Sequence, residues 1–280
     1  MIPLIDTHQH LIWRDRLGYG WTRDISTLAT GDFLPEDYDA LTAELGIAGK
    51  IFMEAGVDDA DYQTEARLVA GLVGRYGLLG QIAAIRPETD AGFDDWLAEA
   101  QGLHVVGFRR ILHVVPDSLS QTDTFRGNLR KIGAAGFPFD LNLLARQLPL
   151  GVDLVRACPD QSYVLDHCGV PDIAGRGFDD WVRGLTAIAA LPQVVCKLSG
   201  IAAYCRPGTA SVAVLRPYVA HVLAAFGPDR MIWGSDWPVV TLGMPLPDWI
   251  AATRSLIAEL SEAEQFAIAQ GTARRVYRLP

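Results

Sequence analysis

Short apolar runs alternate along the chain with longer segments of helical periodicity. Eight runs predict strands, at residues 4–12, 50–55, 78–85, 105–112, 137–143, 163–166, 194–198 and 231–233. Apolar positions three and four residues apart predict helices between the strands, at residues 60–76, 93–101, 179–190, 211–226 and 246–260. The stretch 261–277 predicts one or two further helices, with Ser261 and Glu264 at the spacing of a capping box.

Eight strand–helix units in 280 residues predict an α/β fold, a single (β/α)8 TIM barrel. A doubly wound open sheet is the alternative, but no G-x-G-x-x-G follows the first strand. No linker-like composition or short repeat divides the chain, so we expect one domain over residues 1–280. The loops at 14–34, which contains Trp21, and at 202–209 follow strands one and seven. In a barrel they lie at the active-site face, as a lid or pocket wall or as plain surface loops.

Composition narrows the class of partner. Half of the residues are hydrophobic, a fifth are charged and the net charge is -9, which suits a soluble protein with a large core. No cluster of Lys or Arg is present, so nucleic acid and acidic membrane surfaces are not expected as partners. The first residues lack the basic region of a signal peptide, and no apolar run approaches the roughly 20 residues of a membrane span. We therefore expect a cytoplasmic protein.

The four cysteines show no C-x-x-C spacing. Reduced and mostly buried thiols of a cytosolic protein are the simplest interpretation. Cys168 follows His167 directly, and a nucleophilic role for its thiol is the less favoured alternative.

Two short segments at opposite ends of the chain carry the most distinctive chemistry. His8 and His10 are two residues apart in the first predicted strand, so their side chains point the same way. Asp236 stands between two tryptophans just after the eighth predicted strand, in I-W-G-S-D-W-P. We predict that the fold brings this carboxylate and the histidine pair together at the same end of the barrel.

Other polar residues stand near the ends of predicted strands, namely Glu54, Arg109, Arg110, Asp140, Asn142, Asp166, His167, Lys197 and Ser199, with His113 just beyond strand four. So many ionisable groups at strand ends favour an active site over a purely structural barrel. Simpler explanations remain for individual residues. Lys197 is also compatible with a salt bridge inside the barrel. Arg109 and Arg110 point in opposite directions on a regular strand, which favours a structural role for one of them.

Four motifs in this order carry a family resemblance: H-x-H on strand one, L-D-H-C-G on strand six, C-K-L-S-G on strand seven and W-G-S-D-W-P on strand eight. Together they resemble the amidohydrolase superfamily. The likeness is to its amidohydrolase 2 branch, with sugar lactonases of the L-fuconolactonase and L-rhamnonolactonase type and 2-pyrone-4,6-dicarboxylate lactonases. It runs from Ile5 almost to the C-terminus and includes Gly-Phe-Arg at 107–109 and Gly-Thr-Ala-Arg at 271–274.

The resemblance implies roles for individual residues. Asp236 would be the general base that takes a proton from water, while His8, His10 and His167 would hold a metal or polarise the substrate carbonyl. Arg109 resembles the family's substrate-orienting arginine. Contacts with substrate are also expected from Arg110, Lys197, Asp140, Asn142 and Trp21.

A divalent metal is optional in this interpretation. Many amidohydrolases carry a histidine or a carboxylated lysine on strand four or five, where this chain has Arg109, Asp140 and Asn142. We favour catalysis without a required cofactor and keep a single Zn²⁺ as the alternative. The candidate ligands for such an ion are His8, His10, Glu54, His167 and Asp236.

The favoured function is hydrolysis of the lactone of a sugar acid, because a ring ester needs less carbonyl activation than an amide. The alternatives within the branch are hydrolysis of a dicarboxylate lactone, lactone isomerisation and metal-dependent decarboxylation. The two arginines at 109 and 110 would suit a carboxylated substrate. A non-catalytic binding barrel is disfavoured, since Asp236 and the histidines are all present. A small-molecule lactone is the expected partner, and the oligomeric state is left open.

Overall fold

The computed structural model describes residues 2–175 and 177–280. Its strands are β1 (Leu4–Gln9), β2 (Ile47–Met53), β3 (Leu78–Ala84), β4 (Val105–Ile111), β5 (Phe139–Asn142), β6 (Tyr163–Leu165), β7 (Val194–Leu198) and β8 (Met231–Trp233). Its helices are α1 (Pro35–Thr42), α2 (Tyr62–Ala70), α3 (Phe93–Gln101), α4 (Asp123–Ala134), α5 (Leu148–Ala157), α6 (Phe178–Ala189), α7 (Val212–Phe226), α8 (Leu246–Leu256), α9 (Glu262–Phe266) and α10 (Thr272–Tyr277).

The strands form one parallel sheet in sequential order from β1 to β8. The end of β8 then returns to β1, since the backbone N–H of Asp236 donates to the His8 carbonyl at 2.8 Å and that of His10 donates to the Trp237 carbonyl at 2.8 Å. The sequential order and this closure confirm the predicted (β/α)8 barrel and exclude the doubly wound sheet.

All eight predicted strands are present, with different ends for several of them. The first stops at Gln9, because beyond it Ile12 leaves the barrel and pairs with Phe33 in an antiparallel bridge. The five predicted helices are also present. The helices α1, α4 and α5 were not among the predicted segments. At the C-terminus α9 and α10 are joined by a π-helical segment at Ala267–Gly271.

Side-chain caps explain where several helices begin. Thr122 precedes α4 and its hydroxyl accepts the Phe125 N–H at 3.2 Å. The predicted capping box at α9 is confirmed: the Ser261 hydroxyl accepts the Glu264 N–H at 3.4 Å, and Glu264 accepts the Ser261 N–H at 2.8 Å. Each pair satisfies backbone N–H groups that have no partner within the helix.

Apolar side chains pack in two clusters. The larger lies between the strands and the surrounding helices and includes Phe108, Phe139, Trp181 and Trp233. The smaller fills the barrel interior with side chains from β2, β3, β6, β7 and β8, namely Ile51, Met53, Ile82, Val164, Val195 and Ile232. The α10 residues Ala273 and Tyr277 complete this inner cluster.

The C-terminal segment docks on the end of the barrel where the strands begin. Gln270 donates to the Pro3 carbonyl just before β1, and Thr272 and Arg275 both donate to the Asp229 carbonyl just before β8. The site residues, by contrast, stand at the ends of strands. The helix α10 therefore closes the barrel on the face opposite the site.

Two smaller findings concern the expectations from composition. In the described residues, no helix combines the length and apolar character of a membrane span. The four cysteines are all buried and unpaired, as expected for structural thiols: Cys158, Cys168, Cys196 and Cys205.

Candidate active site

The backbone hydrogen bonds that join the end of β8 to β1 place Asp236 beside His8 and His10. Oδ1 of Asp236 lies 3.6 Å from Nε2 of His8 and 3.4 Å from Nε2 of His10. Its other oxygen, Oδ2, is 4.0 Å from Nδ1 of His167. The four side chains therefore meet at one place, as the sequence motifs predicted, although the first and the last of these residues are 228 positions apart in the chain.

Asp236 Oδ2 is buried and has no hydrogen-bond partner in the described residues. Gly200 makes room for it, because a Cβ at that position would lie 2.6 Å from this oxygen and 2.4 Å from Nδ1 of His167. The backbone of Gly200 has φ +65°, which glycine adopts at little cost. Asp236 itself has φ 60° and His167 has φ 52°. Such strained conformations of non-glycine residues cluster at functional sites.

Backbone and carboxylate contacts orient the imidazoles of His8, on β1, and of His10, just after the end of β1. Nδ1 of His10 is 3.0 Å from the Met53 carbonyl, which can only accept, so Nδ1 carries the proton and Nε2 presents a lone pair. Nδ1 of His8 faces Oδ1 of Asp166 at 3.4 Å and has no closer partner in the described residues. Burial lowers the pKa of His8 well below its usual value, although the Asp166 carboxylate opposes the shift.

His167 reaches the site from the turn after β6. Its Nδ1 lies 3.0 Å from the Ser199 hydroxyl, at the end of β7. Burial lowers the pKa of His167 against the pull of Asp236 and Asp166. Burial thus lowers the pKa of both His8 and His167, which favours their neutral imidazoles.

Arg109 is fixed at the wall of the site by four polar contacts. Its Nε donates to the Glu54 carboxylate and its Nη2 to the Glu54 carbonyl, both at 2.6 Å. Nη1 lies 3.2 Å from Nε2 of His8 and 3.3 Å from Oδ2 of Asp166. Burial raises the pKa of Glu54, but Arg109 outweighs it and the net shift is downward. Glu54 is therefore the counter-ion of Arg109.

Two residues predicted to contact substrate lie beneath the site instead. Lys197 and Asp140 are fully buried, do not line the cavity and form an ion pair with each other. Nζ of Lys197 is also 3.0 Å from Oδ1 of Asp166. Burial raises the pKa of Asp140 to about 7, against the opposing charge of Lys197. Both side chains lie buried in the barrel interior, outside the cavity lining.

A cavity of about 380 Å³ opens above Asp236. Of the predicted substrate-binding residues, Arg109, Arg110, Asn142 and Trp21 line it. Trp21 is 40 % exposed, and its indole N–H donates to the Ala55 carbonyl at 2.9 Å, so the loop after β1 forms part of the cavity wall. Arg110 is paired with Glu88 at 2.7 Å. Arg109, by contrast, also contacts the imidazole of His8.

Four further polar residues in the cavity wall were not among the predicted site residues: Asp59, Arg86, His113 and Tyr204. The sequence places His113 just beyond the fourth predicted strand and gives it no role. It pairs through Nδ1 with Oδ1 of Asn142, and burial lowers its pKa. Tyr204 lies in the loop after β7, and Arg86 follows β3. The sequence shows only that both residues follow predicted strands. Too many residues share that property for it to identify site residues.

His8, His10 and Asp236 could together hold a metal ion, since each offers an atom within 4.8 Å of the others. A tetrahedral Zn²⁺ with bonds of about 2.0–2.2 Å separates its ligand atoms by roughly 3.3–3.5 Å. The distances of 3.6 and 3.4 Å from Asp236 to the two imidazoles come close to this geometry. The donor set therefore fits one zinc ion, which would compete with Arg109 for the lone pair of His8.

The other candidate ligands fit less well. The Glu54 carboxylate accepts hydrogen bonds from Arg109 and from the Gly56 N–H, the latter at 2.9 Å. It belongs to neither group of potential metal ligands found in the described residues. His167 forms a second group with His8 and Asp166, but that carboxylate already contacts the cations of Arg109 and Lys197. A cation in this second group would meet strong repulsion.

Comparison with known proteins places the chain among relatives over its whole length. The family model described as amidohydrolase matches residues 5–279. An L-fucono-1,5-lactonase of Burkholderia multivorans is 33% identical over 99% of this chain and 96% of its own length. The L-fucono-1,5-lactonase of Burkholderia ambifaria is 29% identical, covering 88% of this chain and 85% of the relative. A solved amidohydrolase from Burkholderia multivorans with bound zinc is 27% identical and superposes with a TM-score of 0.90 over 99% of this chain and 100% of that one.

Proposed function

Since the chain belongs to the amidohydrolase family, we propose that this enzyme is a lactonase and that it opens the lactone of a sugar acid with Asp236 as general base. The observation that carries the proposal is the free oxygen of Asp236. Oδ2 is buried, lacks a hydrogen-bond partner in the described residues and belongs to a residue that lines the cavity. A carboxylate oxygen in that state can accept a proton from a water molecule that attacks a bound carbonyl.

The proposed reaction begins when a water molecule hydrogen-bonds to Asp236. As the water oxygen forms a bond to the lactone carbonyl carbon, its proton passes to the carboxylate. The tetrahedral intermediate then collapses, the bond from the carbonyl carbon to the ring oxygen breaks, and Asp236 returns the proton to that oxygen. The product is the open hydroxy acid. General base catalysis of this kind contributes about 10²–10⁴-fold.

Arg109 is suited to stabilise the negative charge that develops on the carbonyl oxygen. Its guanidinium remains charged, lines the cavity and is held rigidly by Glu54. One fixed donor aimed at a developing oxyanion lowers the barrier by about 3 kcal/mol. A zinc ion held by His8, His10 and Asp236 would add Lewis-acid polarisation of the carbonyl.

The rest of the cavity suits a neutral polyhydroxylated ring. Asn142, His113 and Tyr204 offer hydrogen-bonding groups, and the exposed face of Trp21 can stack on a sugar ring. The two outer arginines are already paired, Arg110 with Glu88 and Arg86 with Asp59, both at 2.7 Å. Because these charges are neutralised, a neutral lactone is favoured over the dicarboxylate lactone.

The test is a panel of aldonolactones of both ring sizes, with acid release followed by a pH indicator. We include 2-pyrone-4,6-dicarboxylate and unsubstituted δ-valerolactone for comparison. The proposal predicts that at least one aldonolactone is opened far faster than in buffer alone and faster than the dicarboxylate. Turnover of the dicarboxylate with no aldonolactone opened would overturn it.

A further inference from the structure

A line of buried polar groups runs from the C-terminal helix to the active site. The Tyr277 hydroxyl of α10 lies 3.1 and 3.0 Å from the two carboxylate oxygens of Asp140. Asp140 forms an ion pair with Lys197, whose Nζ is 3.0 Å from Oδ1 of Asp166. That same oxygen faces Nδ1 of His8 at 3.4 Å. The line thus joins Tyr277, on one face of the barrel, to a site imidazole on the other.

Asp140 has fewer cationic partners than Asp166. Asp166 contacts both Lys197 and Arg109, whereas among the described residues Lys197 is the one cation paired with Asp140, and the side chains of Asp140, Lys197 and Asp166 are all fully buried. Buried carboxylates are costly unless every oxygen has a donor. The Tyr277 hydroxyl supplies the neutral donor that Asp140 needs in addition to Lys197. Without it, Asp140 would attract Lys197 more strongly, at the expense of Asp166.

The contact between Asp166 and His8 is the link most sensitive to such a change. At 3.4 Å it is longer than an ordinary N–H···O hydrogen bond, and Nδ1 of His8 has no other partner in the described residues. A proton on Nδ1 leaves the lone pair of Nε2 directed toward Asp236 and Arg109. Arg109 can only donate, so its contact with Nε2 already requires this tautomer, and the position of Asp166 decides how firmly the Nδ1–H and the ring are held.

We propose that Tyr277 is a positioning residue for the active site, which acts through Asp140, Lys197 and Asp166 to keep the Nδ1–H of His8 against Asp166 and its Nε2 facing Asp236. The inference rests on the proposed function where its test uses turnover. It assigns a role in catalysis to a helix on the face of the barrel opposite the site.

The test compares two tyrosine-to-phenylalanine variants. Tyr277→Phe removes the hydroxyl from Asp140 and keeps the ring in the inner cluster. Tyr163→Phe is the matched control, because Tyr163 is also fully buried and donates one hydrogen bond, to the Cys158 carbonyl at 3.1 Å in the outer cluster. Thermal unfolding and circular dichroism establish that both variants fold.

We expect Tyr277→Phe to lower kcat by about tenfold with KM nearly unchanged, whereas Tyr163→Phe keeps the kcat of the wild type. The second readout needs no substrate: proton and nitrogen NMR of labelled histidine reports the hydrogen bond made by the Nδ1–H of His8. In the wild type the Nδ1–H signal should lie downfield, as for an imidazole that faces a carboxylate, and in Tyr277→Phe it should move upfield or broaden by exchange with water.

A folded Tyr277→Phe protein with the kcat and the His8 signals of the wild type would overturn the inference. So would equal losses of kcat in the two variants, which would mark a general packing effect. If the wild type opens no lactone at all, the proposed function fails, while the NMR comparison still decides the role of Tyr277. The two failures are therefore distinguishable.

Discussion

Asp6 Oδ1 accepts the backbone N–H of Ser235 at 2.7 Å, across 229 positions of sequence. The same oxygen accepts the N–H of His8 at 3.0 Å, and Oδ2 accepts the Tyr38 hydroxyl at 2.6 Å. One fully buried carboxylate thus ties β1 to the residue just before Asp236 and to helix α1. This fixes the relative position of the histidine pair and the proposed general base.

Replacement of Asp6 should therefore destabilise the protein and its site together. Asp6→Ala leaves two buried N–H groups and one hydroxyl without an acceptor, each at a cost of about 1–3 kcal/mol. Asp6→Asn keeps one oxygen for the two amides and should cost clearly less. Urea unfolding measures both variants. Equal stability of Asp6→Ala and Asp6→Asn would show that these hydrogen bonds contribute little.

Asp236→Asn should abolish most of the lactonase activity, because an amide cannot take a proton from water. We expect kcat/KM to fall by about 10²–10⁴-fold while the fold is retained. Asp248→Asn, an exposed acid at the start of α8, is the control and should match the wild type. Steady-state kinetics on the best aldonolactone give the result, and activity near that of the wild type in Asp236→Asn would eliminate the general-base role.

Zinc binding should depend on His10 and leave His113 uninvolved. His10 belongs to the ligand group with His8 and Asp236, while His113 lies in the cavity wall outside it. We expect titration calorimetry to show one zinc per chain, with affinity at least about tenfold weaker in His10→Ala. His113→Ala should bind as the wild type does, and a loss of affinity there would place the ion elsewhere.

His113 should distinguish hydroxylated from plain lactones. Its pairing with Asn142 occupies Nδ1, and its Nε2 has no hydrogen bond in the described residues, so this nitrogen can accept one from a substrate hydroxyl. Loss of such a bond, worth about 1 kcal/mol, lowers kcat/KM roughly fivefold to tenfold. We expect this fall in His113→Ala with an aldonolactone but not with δ-valerolactone, and no fall with either substrate in Val114→Ala, which shortens an apolar side chain of the same cavity wall. Equal losses on both substrates would refute a recognition role.

Glu65 should make the stability of the protein depend on pH. It is buried and accepts the Ala55 N–H at 3.1 Å; burial and then the charge of Glu54 raise its pKa well above the ordinary value. A group with a raised folded-state pKa stabilises the fold below its unfolded pKa, of about 4.3, and this contribution is lost as pH rises through the folded value.

Glu65→Gln should remove this loss. We expect the variant to gain stability relative to the wild type when pH is raised from about 5 to about 8, as measured by urea unfolding at several pH values. Glu259→Gln, at an exposed position, is the control and should show no such gain. A constant difference between Glu65→Gln and the wild type at every pH would contradict the prediction.

Much of the fold was predictable because the barrel repeats one local pattern. Buried parallel strands are continuous apolar runs, and all eight were recognisable in the sequence. The helices α4 and α5 were harder to detect. The α4 segment has Gly127 and Gly133 within or near it, and α5 has Pro149 and Gly151 near its start, which weakens the helical signal. Packing against the barrel stabilises these helices regardless of their propensity.

By itself, the sequence determined the order of the elements and the positions of His8, His10, His167 and Asp236 at strand ends. Only the tertiary structure decided which of the other polar residues line the cavity. It directs Lys197 and Asp140 inward, brings His113 and Tyr204 to the cavity, and places Tyr277 below the site. The physical reason is that a strand's period fixes two opposite faces locally, whereas barrel closure and the docking of the last helix depend on contacts between distant residues.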